Sequence, residues 1–381
     1  MSLPAPASAS LNPSPALSVT VVRDESTLVT LRTAWEALED QAEHYGLYVT
    51  WGYVRLAWQH LASPGDQLWV MVVRDDQGRL HGVLPLVRVT ERHYGMSVQV
   101  LRHIGIWEGD RPGVLALEDA DRVWEALWAA LVAQRSQWHV LDLRELDSGS
   151  WPLRRLQQPG MGFTGQIQPD IEAPFQTLDT RWALHLAARS ESVRTAWQAL
   201  QQALQTQHPD QCTVVAESAE DVVPALERFL SLESALVQAG RGVTIGGNLR
   251  LVAFYREWLP RLAARGDAAV WLLMGQESEI AGLIRLRCGD TWIERHACYD
   301  PTQAALHPSL LLATEALQRS FGTTAQESTL VSVREPDAAK ARLADWYDGR
   351  SLTQRLSVWN LQSRLGPIAL LKRLWGTLRG A

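Results

Sequence analysis

The chain has little cysteine, no long apolar run and no excess of positive charge, and each shortage removes a class of protein. Three cysteines (Cys212, Cys288 and Cys298) are scattered over 381 residues without a CxxC pair. That excludes a disulfide framework and a structural zinc site, and it suits a reducing, cytoplasmic compartment. No stretch of 18 or more apolar residues occurs, so nothing reads as a bilayer-spanning helix. A net charge of −6 offers no general attraction to nucleic acid. Residues 1–18 are rich in Ala, Pro and Ser but lack the basic start and apolar core of a secretory signal, and read as a disordered leader. There is no GxSxG nucleophile elbow and no GxxxxGKS or GxxxxGKT phosphate loop. Gly240-Arg241-Gly242 with Gly246-Gly247 follows a helical pattern, so it reads as a turn or lid and not as a dinucleotide fingerprint.

What is present is ordinary globular composition, 46% hydrophobic and 20% charged, in a chain long enough for two cores. It also repeats itself. Residues 66–73 and 80–86 form an apolar run, a turn and a second run opened by glycine, and residues 267–274 and 280–286 echo them. Each pair reads as a β-hairpin preceded by two helices. The spacing predicts helices over 25–43, 51–61, 121–135, 221–237, 248–264 and 308–321, and strands over 19–23, 140–143, 213–216, 292–299, 329–333 and 353–359. A short helix is expected over 337–343. The fold class is therefore α/β (α+β), with two tandem lobes at 19–174 and 175–360, each a mixed, mostly antiparallel sheet flanked by helices. The seventeen tryptophans fall mostly on apolar faces and read as core.

The C-terminal end differs in charge. From residue 349 onward there are six basic residues, Arg350, Arg355, Arg364, Lys372, Arg373 and Arg379, and no acidic one. Ile368, Leu371, Leu374, Trp375 and Leu378 recur there at helical spacing. Residues 361–381 thus read as a basic amphipathic helix, docked on its own domain, on an anionic membrane face or on a protein partner.

Three places could carry chemistry. Glu233 lies at i+7 from Leu226 on the stripe that should face the core, and an ionised carboxylate there needs a partner or a task as general base. In the strand 292–299, strict alternation places Glu294, His296 and Cys298 on one face and Arg295 with Tyr299 on the other. His296 is either a structural histidine or a catalyst, and no second ligand pair supports a metal. His307-Pro308-Ser309-Leu310 begins a helix whose first amides could hold an anion or serve ordinary capping.

In order, Phe229-Leu230-Ser231-Leu232-Glu233-Ser234, Gly242, the second hairpin, Cys298-Tyr299-Asp300, His307-Pro308-Ser309-Leu310-Leu311-Leu312 and Lys340 resemble the second lobe of the GNAT acyltransferases of the cellulose-biosynthesis (CelD/BcsL-like) branch. That branch is itself similar to FemAB-type tandem GNAT proteins. Trp51 and Leu84-Pro85-Leu86 resemble its first lobe. Ser309 stands where the family has glycine. The resemblance implies transfer of an acyl group from acyl-CoA, acetyl-CoA or a carrier-linked thioester to an amine or hydroxyl of a saccharide or other small-molecule envelope or exopolysaccharide precursor. Within that class the residues themselves offer Glu233 as base, Tyr299 to protonate the departing thiolate and His296 as a further catalytic group, with His307, Ser309 and Leu310 at the donor. Arg241, Glu294, Arg295, Asp300 and Lys340 would contact substrate. The alternative is a non-catalytic partner of a polysaccharide-synthesis complex, placed peripherally at the inner face of the membrane.

Overall fold

The protein is described by a computed structural model over residues 16–42, 46–93, 95–117, 120–238, 245–276, 278–322, 330–333, 344–363 and 366. Its first half runs β1 (Ser18–Val22), α1 (Glu25–Thr30), α2 (Arg32–Gln41), α3 (Trp51–Leu61), β2 (Gln67–Arg74), β3 (Leu80–His93), β4 (Met96–His103), β5 (Leu115–Ala116), α4 (Ala120–Ala133), β6 (Val140–Leu146), α5 (Trp151–Leu156) and β7 (Phe163–Thr177). The second half runs α6 (Trp182–Ala188), α7 (Glu191–Gln207), β8 (Cys212–Ala216), α8 (Ala219–Gln238), α9 (Leu249–Ala263), β9 (Ala268–Met274), β10 (Glu279–Cys288), β11 (Thr291–Tyr299), α10 (Pro308–Gly322), β12 (Leu330–Val333) and β13 (Gly349–Asn360). The leader up to residue 15, Arg241, the 337–343 helix, Lys340 and almost all of 361–381 lie outside the described residues.

The helices start where side chains satisfy free backbone donors. Asp24 caps α1, Thr50 caps α3 through the Tyr53 amide, and Asn248 caps α9 through those of Arg250 and Leu251. The helix expected over 25–43 is two, because the chain bends at Leu31, which closes α1 onto Leu28 and opens α2 with its carbonyl on the Trp35 amide.

All the strands join one sheet, in the order β1-β2-β3-β4-β6-β13-β7-β12-β11-β10-β9-β8, with β5 beside β3. Read inward from either edge, the two halves match: an edge strand, an antiparallel hairpin, a third strand, then a parallel neighbour reached through a crossover helix. The parallel pairs are β4 with β6 and β11 with β12. This is the two-lobed architecture that the repeated hairpins imply. The centre is an exchange. β7 runs on into pairing with β12, while β13 returns to lie between β6 and β7. Position 174 thus falls inside β7. Most of the Gly-, Pro- and Gln-rich stretch 157–169 forms the first half of β7. Pro169 is tolerated because it sits at the register shift in β13 between Leu352 and Gln354.

Three apolar clusters flank the sheet. One is continuous across both lobes under α1, α2, α3, α8 and α9. The others lie on the opposite face, under α4 and α5 in the first lobe and under α6, α7 and α10 in the second. Among the described residues eleven tryptophans are buried, which places them in these cores and not on a stacking surface.

Candidate active site

In a flat sheet β4 and β11, five places apart, would stand roughly 24 Å from each other. Instead the twisted sheet curls until the turn after β4 touches β11. Gly105 opens that turn in the left-handed region, at φ 65°, and a Cβ there would lie 2.6 Å from the Tyr53 hydroxyl. Only glycine satisfies both conditions. The turn delivers Glu108 of the first lobe to three side chains of the second. Tyr255 Oη donates to Glu108 Oε2 at 3.0 Å and lies 2.7 Å from His296 Nε2. Arg295 donates to the same carboxylate oxygen at 3.2 Å, and His296 Nε2 lies 3.5 Å from it. Burial would raise the Glu108 carboxyl, but His296, Arg295 and Tyr255 together hold it down at about 2. Burial keeps the Tyr255 hydroxyl protonated, well above its ordinary range.

The expected alternation along β11 is wrong at one residue. The register shifts between Ile284 and Arg285, so that Arg285 faces Glu294 while Ile284 faces His296, and Arg295 is the extra residue of a bulge. The bulge resets the faces. Arg295 and His296 both reach Glu108, and Cys298 lies under α8, its thiol toward the Phe229 carbonyl. Glu294 is turned to the α10 side, with Arg285, which donates to the Ala316 carbonyl and Ser320. Burial pushes the Glu294 carboxyl up to about 7 against the opposing pull of Arg285 and Tyr347.

Glu233 is buried, with Leu226 and Leu230, as its stripe predicts. Its two oxygens accept the amides of Ile245 at 3.2 Å and Gly246 at 2.7 Å. Burial raises its carboxyl, opposed first by the Gly246 amide, then by nearby His296. The carboxylate therefore secures the segment that leads into α9. Glu233→Gln would set an amide nitrogen against one of these N–H donors, at a cost of about 1–3 kcal/mol. Urea unfolding should show that loss, and an unchanged midpoint would remove the clamp role.

The segment expected at the donor is internally occupied. The amides of Leu310 and Leu311 both go to the His307 carbonyl, at 3.0 and 3.2 Å, and the His307 amide goes to Ala304. Ser309 Oγ points to the Cys298 carbonyl at 3.4 Å. Asp300 caps the turn before α10 through Thr302. This helix start does not fit a pyrophosphate cradle, which needs several free amides. Tyr299 stands three residues beyond His296, packed against the clusters of both faces.

Sequence reasoning missed Glu108 and Tyr255. Tyr255 shares the apolar stripe of α9 and reads as core, whereas an acid inside Ile104-Gly105-Ile106-Trp107-Glu108-Gly109 was a usable signal. Strain marks the same region. Arg111 and Glu145 have φ of 45° and 55°, and the Arg111 amide donates to Glu145 at 3.2 Å. Non-glycine residues in that region cluster at functional sites. A cleft of about 950 Å³ between α2, α3 and α9 lies on the far side of the aromatic layer. Tyr53 and Trp258 line it and pack through Phe254 toward Tyr255. Its arginines are paired, Arg32 with Glu36, Arg55 with Glu25, Arg261 with Glu257, Arg265 with Glu39 and Asp267. Among the described residues, no group of three or more His, Cys, Asp or Glu side chains could hold a metal, and no helix is long and apolar enough to cross a membrane.

Residues 187–332 match the family profile described as the acetyltransferase (GNAT) domain. That segment contains β11, His296 and Tyr255, and the protein that carries it is an acyltransferase enzyme. The whole chain is similar in structure to FemX, at 9% identity over 86% of this chain and 95% of FemX, with a TM-score of 0.55. It is also similar to the C-terminal domain of a putative lysylphosphatidylglycerol synthetase from Agrobacterium fabrum, at 9% identity over 90% and 95% of the two chains, with a TM-score of 0.52. L-PGS from Bacillus licheniformis matches at 11% identity over 91% and 95%, with a TM-score of 0.50. Identities this low establish the fold alone. Among curated proteins no sequence matches the chain.

Proposed function

We infer that the enzyme moves an acyl group from a thioester donor to an amine or hydroxyl of a saccharide or other cell-envelope precursor, with His296 as general base. The chain Glu108–Tyr255–His296 carries this reading. Tyr255 has one proton, and it goes to the ionised Glu108. Its oxygen then accepts from His296 Nε2–H at 2.7 Å, which leaves the lone pair on Nδ1. The His296 side chain is 21% exposed, so the ring is open to an approaching acceptor. As the acceptor attacks the thioester carbonyl, Nδ1 takes its proton, and the imidazolium gains the Glu108 charge 3.5 Å away. Collapse of the tetrahedral adduct breaks the C–S bond. The proton held by His296, or one from Tyr299, leaves with the sulfur.

The motif order shared with the cellulose-biosynthesis branch supports a polysaccharide precursor, and the fold shared with a putative synthetase of a lysylated phospholipid supports an envelope setting. Residues 361–381 would hold the enzyme against membrane or partner. The occupied amides at the start of α10 favour a carrier-linked donor over acyl-CoA bound through its pyrophosphate. Two measurements test the reading: mass spectrometry of amino sugars and oligosaccharides incubated with acetyl-CoA, longer acyl-CoAs or acyl-carrier protein, and the thermal midpoint with each donor. A donor at a hundredfold excess over its dissociation constant stabilises the fold by about 2.7 kcal/mol. Acylated product with a shift from acyl-carrier protein alone is the expected result. A shift from acyl-CoA that Ser309→Glu abolishes would restore CoA at α10. No product and no shift with any donor would end the acyl-transfer reading.

A further inference from the structure

On the face of the sheet opposite α8 and α9, helices α7 and α10 form, with Gln211 and with Leu273 of β9, a pocket of about 430 Å³. Such a volume lies within the roughly 300–1,000 Å³ of small-molecule sites. Its walls are amides: Gln201, Gln202 and Gln205 on α7, Gln211 before β8, and Gln318 on α10. From Thr195 to Gln207 α7 has no charged residue, whereas the exposed side of α9 carries Arg250, Arg256, Glu257 and Arg261. No lysine or arginine lines the pocket, and its one acid, Glu315, accepts from Thr213 at 2.7 Å.

One wall is fixed and the other open. Gln211 donates to Gln205 at 3.4 Å, and Gln205 donates to the Pro209 carbonyl at 2.8 Å. The side-chain amides of Gln201, Gln202 and Gln318 make no hydrogen bond among the described residues. The floor is apolar: Trp197 with Leu204, Leu273 and Leu311. The Trp197 indole N–H is already given to Thr314 Oγ1 at 3.1 Å, so its ring offers only carbon surface. A carboxamide presents a carbonyl acceptor and two N–H donors side by side. That matches vicinal hydroxyls, each both donor and acceptor, without the desolvation cost of a charge. Apolar ring surface below and neutral amides above suit a pyranose, whose C–H face is apolar and whose rim is hydroxylic. An anion would want guanidinium or ammonium, and a cation a free carboxylate; neither lines this pocket.

We propose that this pocket is a binding site for a neutral saccharide, separate from the crevice at His296. The sheet lies between the two, so the site stands or falls independently of acyl transfer. The test is calorimetric titration of the full chain with cellotetraose, maltotetraose and chitotetraose, and with trialanine as an amide-bearing control. One of the sugars is expected to bind with a dissociation constant of about 1 mM or tighter. Gln201→Ala with Gln318→Ala should weaken it at least about tenfold, while His296→Gln binds as the parent does. Both glutamines are exposed, so the thermal midpoint should stay at the parent value; Gln201→Glu with Gln318→Glu should give the same loss by a second route. Absence of binding by all three sugars up to about 10 mM overturns the proposal. So does binding that the glutamine variants leave unchanged, or binding of trialanine alone.

Discussion

Glu108→Gln is expected to cost the folded protein about 3 kcal/mol at neutral pH, and the deficit should shrink in acid. Glu108 comes from the first lobe, while its partners Tyr255, Arg295 and His296 belong to the second. Its side chain is only 14% exposed and that of Arg295 8%. Glutamine keeps the shape and one acceptor but removes the negative charge that the buried Arg295 guanidinium bonds at 3.2 Å. The pH dependence follows from linkage. The carboxyl sits at about 2 in the fold against an ordinary 4.5, so between those values the unfolded chain binds more protons than the folded one. Its stabilisation is therefore complete above the ordinary carboxylate range and disappears as pH falls through about 2. The shift is worth roughly 3 kcal/mol, in line with the cost of the lost charge. Urea unfolding of parent and variant at several pH values measures the difference directly. Equal midpoints at pH 7 would mean that the carboxylate does not hold the lobes together.

Much of the fold was legible because it rests on local patterns. α3 is found over the residues its periodicity gives, and both hairpins carry their turns where the polar residues stand. β7 and β13 show where local reading ends. A strand rich in Gln, Gly and Pro becomes a strand because β13 from the far end of the chain pairs with nearly all of it, and no window of sequence contains both partners. The site follows the same rule. Glu233 was found from its stripe, and the geometry gives it two backbone amides to hold. His296 was found from its strand, but its task depends on Glu108, 188 positions earlier, and on a bulge that alternation cannot anticipate. One extra residue at Arg295 moved Glu294 from the crevice to the α10 face. The left-handed Arg111 and Glu145 likewise depend on each other across 34 positions of the chain, the Arg111 amide meeting the Glu145 carboxylate.

His296→Gln should lower kcat by about 10²–10⁴-fold with KM little changed, since the base acts on a proton in flight and not on bound substrate. Glutamine can still bond Tyr255 but has no basic nitrogen to offer the acceptor, so the fold should hold. Tyr255→Phe tests the relay separately. It leaves His296 Nε2 facing Glu108 across 3.5 Å with nothing between, frees the ring to turn, and should cost less than loss of the imidazole. Its signature is a kcat that falls while the pH–rate profile moves, because the group that fixes the tautomer and separates the two charges is gone. Glu233→Gln should instead act on stability and leave kcat within about tenfold, since both of its oxygens are committed to Ile245 and Gly246. The ranking decides the mechanism. If Glu233→Gln abolishes turnover in a folded protein while His296→Gln spares it, the proton goes to the helix carboxylate, and the Glu108–Tyr255–His296 chain is a lobe clasp without a chemical role.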